Sequence, residues 1–154
     1  MGSTARLKVQ VGAADFDAGE EIRLVQALTD SIGGVASFIG AMRSSNDGRR
    51  VDSMSLEHYP GMTEKALGRI VDEAANRWQL LGATVIHRVG EFFPGDQIVL
   101  VVTAASHRGE AFAACEFIMD YLKTRAPFWK KERTSEGDFW VEARDSDEQA
   151  ADRW

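Results

Sequence analysis

The chain has 154 residues, of which 44% are hydrophobic and 27% charged. Those are globular proportions, and the length fits a single domain, residues 1–154. The longest uncharged apolar runs, GGVASFIGAM from Gly33 and IVLVVTAAS from Ile98, are about half the roughly 20 residues a membrane-spanning helix needs. MGSTARLKVQV at the N-terminus lacks the apolar stretch of a secretory signal. A single cysteine, Cys115, excludes an intrachain disulfide framework and a cysteine-rich zinc site, so a cytoplasmic, membrane-free protein is expected.

In chain order, Arg6–Val11 alternates and is predicted to be a short edge strand. Asp17 and Glu20 form a capping-box pattern for a helix to about Ser31, which Gly33-Gly34 stops. Val35–Met42 is an apolar strand, and the polar Arg43–Arg50 is a loop. Val51–Tyr59 alternates as a strand, Pro60-Gly61 breaks it, and Met62–Leu81 has helical apolar spacing with Gly82 as its cap. Thr84–Phe92 and Gln97–Ala105 are strands joined by Phe93-Pro94-Gly95-Asp96, where Pro-Gly fits the middle of a type II turn. Ser106 is an N-cap for a helix to about Arg125, with Ala111, Phe112, Cys115, Ile118, Met119 and Leu122 inward, and Pro127 forbids its continuation. Phe128–Thr134 and Asp138–Ala143 make a last hairpin, and Asp145–Trp154 a short helix. The order predicts an α+β fold: one domain, with helices packed on a largely antiparallel sheet.

The formal charge is −6, which argues against a general nucleic-acid binder even though Phe128-Trp129 stands beside Lys130-Lys131. Between Lys123 and Arg133 the chain carries five basic residues and one acid, an island of +4 that leaves −10 for the remainder. Such an island marks a local anion site rather than a polyanion track. Lys123, in the last turn of its helix, has two readings: a surface lysine complementing the helix dipole, or an amine made reactive by crowding with Lys130 and Lys131. Ser106-His107-Arg108 lies where a strand hands over to a helix, a place with free N–H groups suited to phosphate. Arg43, at a strand end, is placed to clamp a phosphate or carboxylate through paired hydrogen bonds. Glu57 and His58 fall on opposite strand faces, Cys115 lies on an apolar helix stripe, and His58, His87 and His107 are too scattered to indicate a metal site.

LEHYPGMTEKAL (Leu56–Leu67), VIHRVGEFFPGDQIVLV (Val85–Val101), SHRGEAF (Ser106–Phe112), FIMDYLKTRAPFWKKE (Phe117–Glu132) and the closing WVEARDSDEQAADRW together resemble the large, catalytic subunit of molybdopterin synthase. The resemblance runs from about Phe38 to Trp154 and implies a hammerhead-like α+β fold. It also implies an activity: transfer of sulfur to cyclic pyranopterin monophosphate, forming the dithiolene of molybdopterin. The sulfur arrives as a thiocarboxylate on the C-terminal Gly-Gly of a ubiquitin-like small subunit, so no resident cofactor or metal is expected. The implied partners are that subunit and a second copy of this chain, a homodimer at the core of a heterotetramer. Within the resemblance Lys123 and Lys130 match catalytic residues. Arg43, His107 and Arg108 match anion contacts, flanked by Lys131 and Glu132, with Arg144 a further substrate-binding candidate. Rival readings are a module that only binds a ubiquitin-like tail, a phosphate-ester enzyme acting without a partner, and a single-strand nucleic-acid binder.

Overall fold

Two largely apolar runs make the centre of the molecule. In the computed structural model, which describes residues 5–141 and 145–154, they are β6 (Gly82–Arg88) and β8 (Gln97–Ala105), paired antiparallel. Along β8 the side chains alternate between two cores: Val99 and Val101 face one, Leu100 and Val102 the other. Both faces are therefore covered, which explains the unbroken apolar run. Edge strand β1 (Arg6–Gly12) pairs parallel with β6, and β2 (Gly34–Ala41) pairs antiparallel with β8, giving the order β1-β6-β8-β2. Helices α2 (Met62–Trp78) and α3 (Arg108–Arg125) supply the larger core on one face, with Leu67, Val71, Phe117 and Ile118 buried. The short α1 (Ala18–Gln26) covers the other face with Val25.

A second four-stranded sheet, order β10-β9-β5-β7, is built from β5 (Ser53–His58), β7 (Gly90–Phe92), β9 (Phe128–Thr134) and β10 (Gly137–Val141), all antiparallel. Its core is Met42, Val51, Met54, Leu56 and Phe92. A small hairpin, β3 (Ser45–Asn46) with β4 (Arg49–Arg50), and the terminal α4 (Asp145–Asp152) complete the described elements.

The α+β class and the mainly antiparallel pairing agree with the sequence, but the sheet is two sheets. The expected single strand Thr84–Phe92 divides at Val89, and β7 leaves the first sheet to pair with β5. Gly90, at φ +113°, takes a conformation an L side chain resists, and there the chain turns off. The α1 cap forms as expected, Asp17 Oδ1 accepting from the Glu20 N–H at 3.0 Å, but the helix ends a turn early. Gly82 begins a strand; Gln79, in the left-handed region at φ 48°, ends α2. His107, not Ser106, precedes the first turn of α3. The buried stripe of α3 includes Phe117 while Phe112 is exposed, because α2 and β8 flank the helix on different sides. The polar segment after Arg43 folds into a hairpin whose turn residues Asp47 and Gly48 both have positive φ, the geometry that Asp-Gly favours. The type II turn at Phe93–Asp96 is present, with Asp96 N–H donating to the Phe93 carbonyl at 2.9 Å and Gly95 at φ +93°.

Candidate active site

The sharp corner between α3 and β9 creates the site. Pro127 ends the helix, and its carbonyl accepts a hydrogen bond from Thr63 Oγ1 at 2.9 Å, pinning the corner to the start of α2. Lys123 stands in the last helical turn, where the dipole favours a cation. On β9, Phe128 and Lys130 share the face toward it, and Lys130 lies opposite Leu56 of β5. Arg43 comes in from the exit of β2, His87 from the end of β6 and Asp147 from α4. Together they line a cavity of about 330 Å³ in which the cations Arg43, Lys123 and Lys130 converge.

Glu132 stands behind Lys130 rather than in the cavity. It is 3% exposed; its Oε2 lies 3.7 Å from Lys130 Nζ and accepts from Asn46 Nδ2 at 3.0 Å. The carboxylate thus holds a cavity lysine and anchors the β3–β4 hairpin that follows Arg43. Among the described residues its Oε1 has no hydrogen-bond partner. Lys131 points to the opposite face of β9, 3.6 Å from Asp138 and over the Trp140 ring. The expectation that Lys131 joins Lys130 in one cluster is corrected by strand alternation.

His107 and Arg108 are exposed at the far end of α3. Fifteen residues of helix at a rise of about 1.5 Å put Arg108 roughly 22 Å from Lys123 along the axis. His107 lines a different hollow of about 480 Å³, with Arg77, Trp78, Gln79, Ser106 and Glu110. One chain therefore brings Arg43, Lys123 and Lys130 together and leaves His107 and Arg108 apart from them. Arg144 lies outside the described residues.

His87 was not among the sequence candidates, yet it forms part of the cavity wall. It is 5% exposed, its Nδ1 lies 2.9 Å from the Arg88 carbonyl, and its ring stacks on Phe128 with centroids 4.0 Å apart and a 23° tilt. Burial, joined by the charges of Lys123 and His58 and opposed by the Arg88 carbonyl, lowers its pKa to about 4. The imidazole is neutral at pH 7. The sequence signal was faint: a lone polar ring ending the apolar run Ala83–Ile86. Cys115 is buried and its thiol is pushed up to about 11 by desolvation, which leaves little thiolate at neutral pH. Among the described residues no group of His, Cys, Asp and Glu forms a metal site, and no helix is long and apolar enough to cross a membrane.

The model of the MoaE protein family matches residues 11–125. The chain belongs to the MoaE family. It is 63% identical over 146 residues to the molybdopterin synthase catalytic subunit of Ralstonia nicotianae, covering 95% of this chain and 83% of the relative. It is 59% identical to the subunit of the same name from Escherichia coli, covering 97% and 99%. The solved MoaE protein of Burkholderia ambifaria superposes with a TM-score of 0.82 at 50% identity, covering 96% of this chain and 97% of that one. A Helicobacter pylori structure, titled a complex of subunits 1 and 2 of molybdopterin-converting factor, shares the fold at a TM-score of 0.69 and 20% identity, covering 90% and 91%. The MoaE match includes Arg43, His87 and Lys123 of the cavity and ends at Arg125, before the β9 wall that carries Lys130.

Proposed function

We propose that this chain is the catalytic subunit of a cytoplasmic molybdopterin synthase. It transfers sulfur from the C-terminal thiocarboxylate of a ubiquitin-like small subunit to cyclic pyranopterin monophosphate. The observation that carries the reading is the convergence of Arg43, Lys123 and Lys130 on one cavity. Both reactants are anions, and bringing them together out of water needs fixed positive charge on more than one side.

In the proposed mechanism the partner's tail enters with its terminal carbonyl beside Lys130, whose ammonium stabilises the charge that develops there. The thiocarboxylate sulfur attacks a carbon of the pterin side chain, forming a carbon–sulfur bond as that carbon's bond to oxygen breaks; the oxygen leaves with the electron pair, as the phosphate oxygen or, once protonated, as water, and the tail stays joined through an acyl–sulfur bond. Cleavage of that bond releases the tail and leaves sulfur on the pterin. Lys123 has two chemically complete roles here. It accepts and returns protons while water takes the acyl group, or its Nζ takes the acyl group first and water later frees it. Only the second leaves a transient covalent link between Lys123 and the partner's terminal glycine, visible as a mass increase on the peptide carrying Lys123. The pterin is substrate and the partner brings the sulfur, so the scheme uses no resident cofactor or metal.

The phosphate falls to Arg43, His107 and Arg108, and their separation has a consequence. Within one chain the last two lie about a helix length from Lys123. They serve the same reaction when a homodimer sets the α3 start of one copy against the cavity of the other, with a small subunit at each end. The deciding experiment mixes purified protein with thiocarboxylated small subunit and cyclic pyranopterin monophosphate and assays for dithiolene. Product that requires all three components is the expected result. Turnover of a phosphate ester by this chain alone, or tail binding without product, would contradict the reading.

A further inference from the structure

The cavity holds one buried titratable group that the scheme above leaves idle. His87 is fixed on two sides, by its stack on Phe128 and by the contact of Nδ1 with the Arg88 carbonyl. A carbonyl oxygen only accepts, so Nδ1 carries the proton, and in the neutral ring Nε2 keeps its lone pair. The ring lines the same cavity as Arg43, Lys123 and Lys130, whose side chains can only donate, and as the Asp147 carboxylate, which comes from α4.

We propose that His87 is a positioning residue for the sulfur transfer described above: its Nε2 accepts a hydrogen bond from Lys123 Nζ and fixes where that nitrogen meets the partner's acyl group, in either of the two roles given to Lys123. The inference rests on that reading of the reaction and deepens it. A carboxylate in the same place would hold the lysine in its charged form and repel the incoming thiocarboxylate. A neutral imidazole orients the nitrogen without adding negative charge. The surroundings keep it neutral: burial, Lys123 on α3 and His58 on β5 all oppose its protonation, and the Arg88 carbonyl favours it less strongly.

The test compares wild-type protein, His87→Asn and His87→Gln in the reconstituted reaction. Asparagine keeps a donor where Nδ1 stood and removes the acceptor at Nε2; glutamine places an amide oxygen within reach of the Nε2 position. The expected result is a kcat at least about 10-fold lower in His87→Asn, with KM for the pterin within about 2-fold and small-subunit affinity unchanged. His87→Gln should recover to within about 3-fold of wild type. Full turnover by a folded His87→Asn, or equal loss in both variants, would overturn the role. A silent wild type would overturn the sulfur-transfer reading itself. If neither variant folds, the ring ¹⁵N shifts of His87 in the wild-type protein decide: an Nδ1–H tautomer with Nε2 hydrogen-bonded supports the proposal, and an Nε2–H tautomer contradicts it.

Discussion

Both ends of α3 carry cations, and they differ in how those cations are held. At the carboxyl end Lys123 sits where the helix dipole welcomes it, walled by β5, β6 and β9 and faced by Arg43 and Lys130. At the amino end His107 and Arg108 are exposed, against the dipole's preference, beside the free N–H groups of the first turn. A lysine at a helix C-terminus is ordinary on its own; the opposing cations across the cavity are what mark it. Cations at a helix N-terminus stand against the local field, and an anion that meets them also meets the backbone donors. One helix thus presents two anion-ready ends too far apart to hold the same small molecule.

The sharpest way to break this contrast is Lys123→Ala. Product formation should fall at least about 100-fold in the reconstituted assay, with the melting temperature and small-subunit binding kept, since the side chain is exposed and no core contact is lost. Normal turnover would remove the carboxyl end from the chemistry. Next comes Asn46→Ala, which strips the amide from buried Glu132. Chemical denaturation should show a loss of about 1–3 kcal/mol, with a smaller loss of kcat as Lys130 loses its fixed support.

How far the sequence showed these features depends on the range of the signal. Local patterns were legible: the Asp17 cap, the Pro94-Gly95 turn, the apolar strand β8 and the basic island all stand where expected. Placement of Lys123, Lys130 and Arg43 in one cavity followed from the resemblance and from the island, and the structure brings them together. Long-range choices were not legible. Nothing local says that the chain changes sheets at Gly90, that Phe117 rather than Phe112 faces the core, or that His87 stacks on Phe128, because each depends on which element packs opposite. Two features could have been read. Strand alternation already separates Lys131 from Lys130, and Asp47-Gly48 is a hairpin turn signal inside what looks like a plain loop.

A smaller effect sharpens the account of the cavity floor. His87 titrates near 4 in the folded chain against an ordinary 6.5, so the unfolded chain takes up its proton first as pH falls. Its contribution is intact above about pH 6.5 and is lost progressively toward pH 4, by about 3 kcal/mol in all. Urea melts at pH 7 and pH 5 should therefore differ less for His87→Gln than for wild type. An unchanged pH dependence would place the ring in contact with solvent. The smallest expected effect is Cys115→Ser: turnover within about 2-fold of wild type, since the thiol is buried and in the proposed reaction the partner brings the sulfur. Loss of activity in a folded Cys115→Ser protein would contradict the role given to the partner.

The most direct measurement of the central claim, that opposite ends of α3 from two copies build one site, is complementation between two inactive variants. Lys123→Ala and His107→Ala proteins are assayed separately, then unfolded, mixed in equal amounts and refolded together. Random pairing makes half the dimers mixed, each with one intact site, so about a quarter of wild-type activity should return. Return of no activity from folded mixed dimers would show that each chain uses its own His107, and the two-copy site would be wrong.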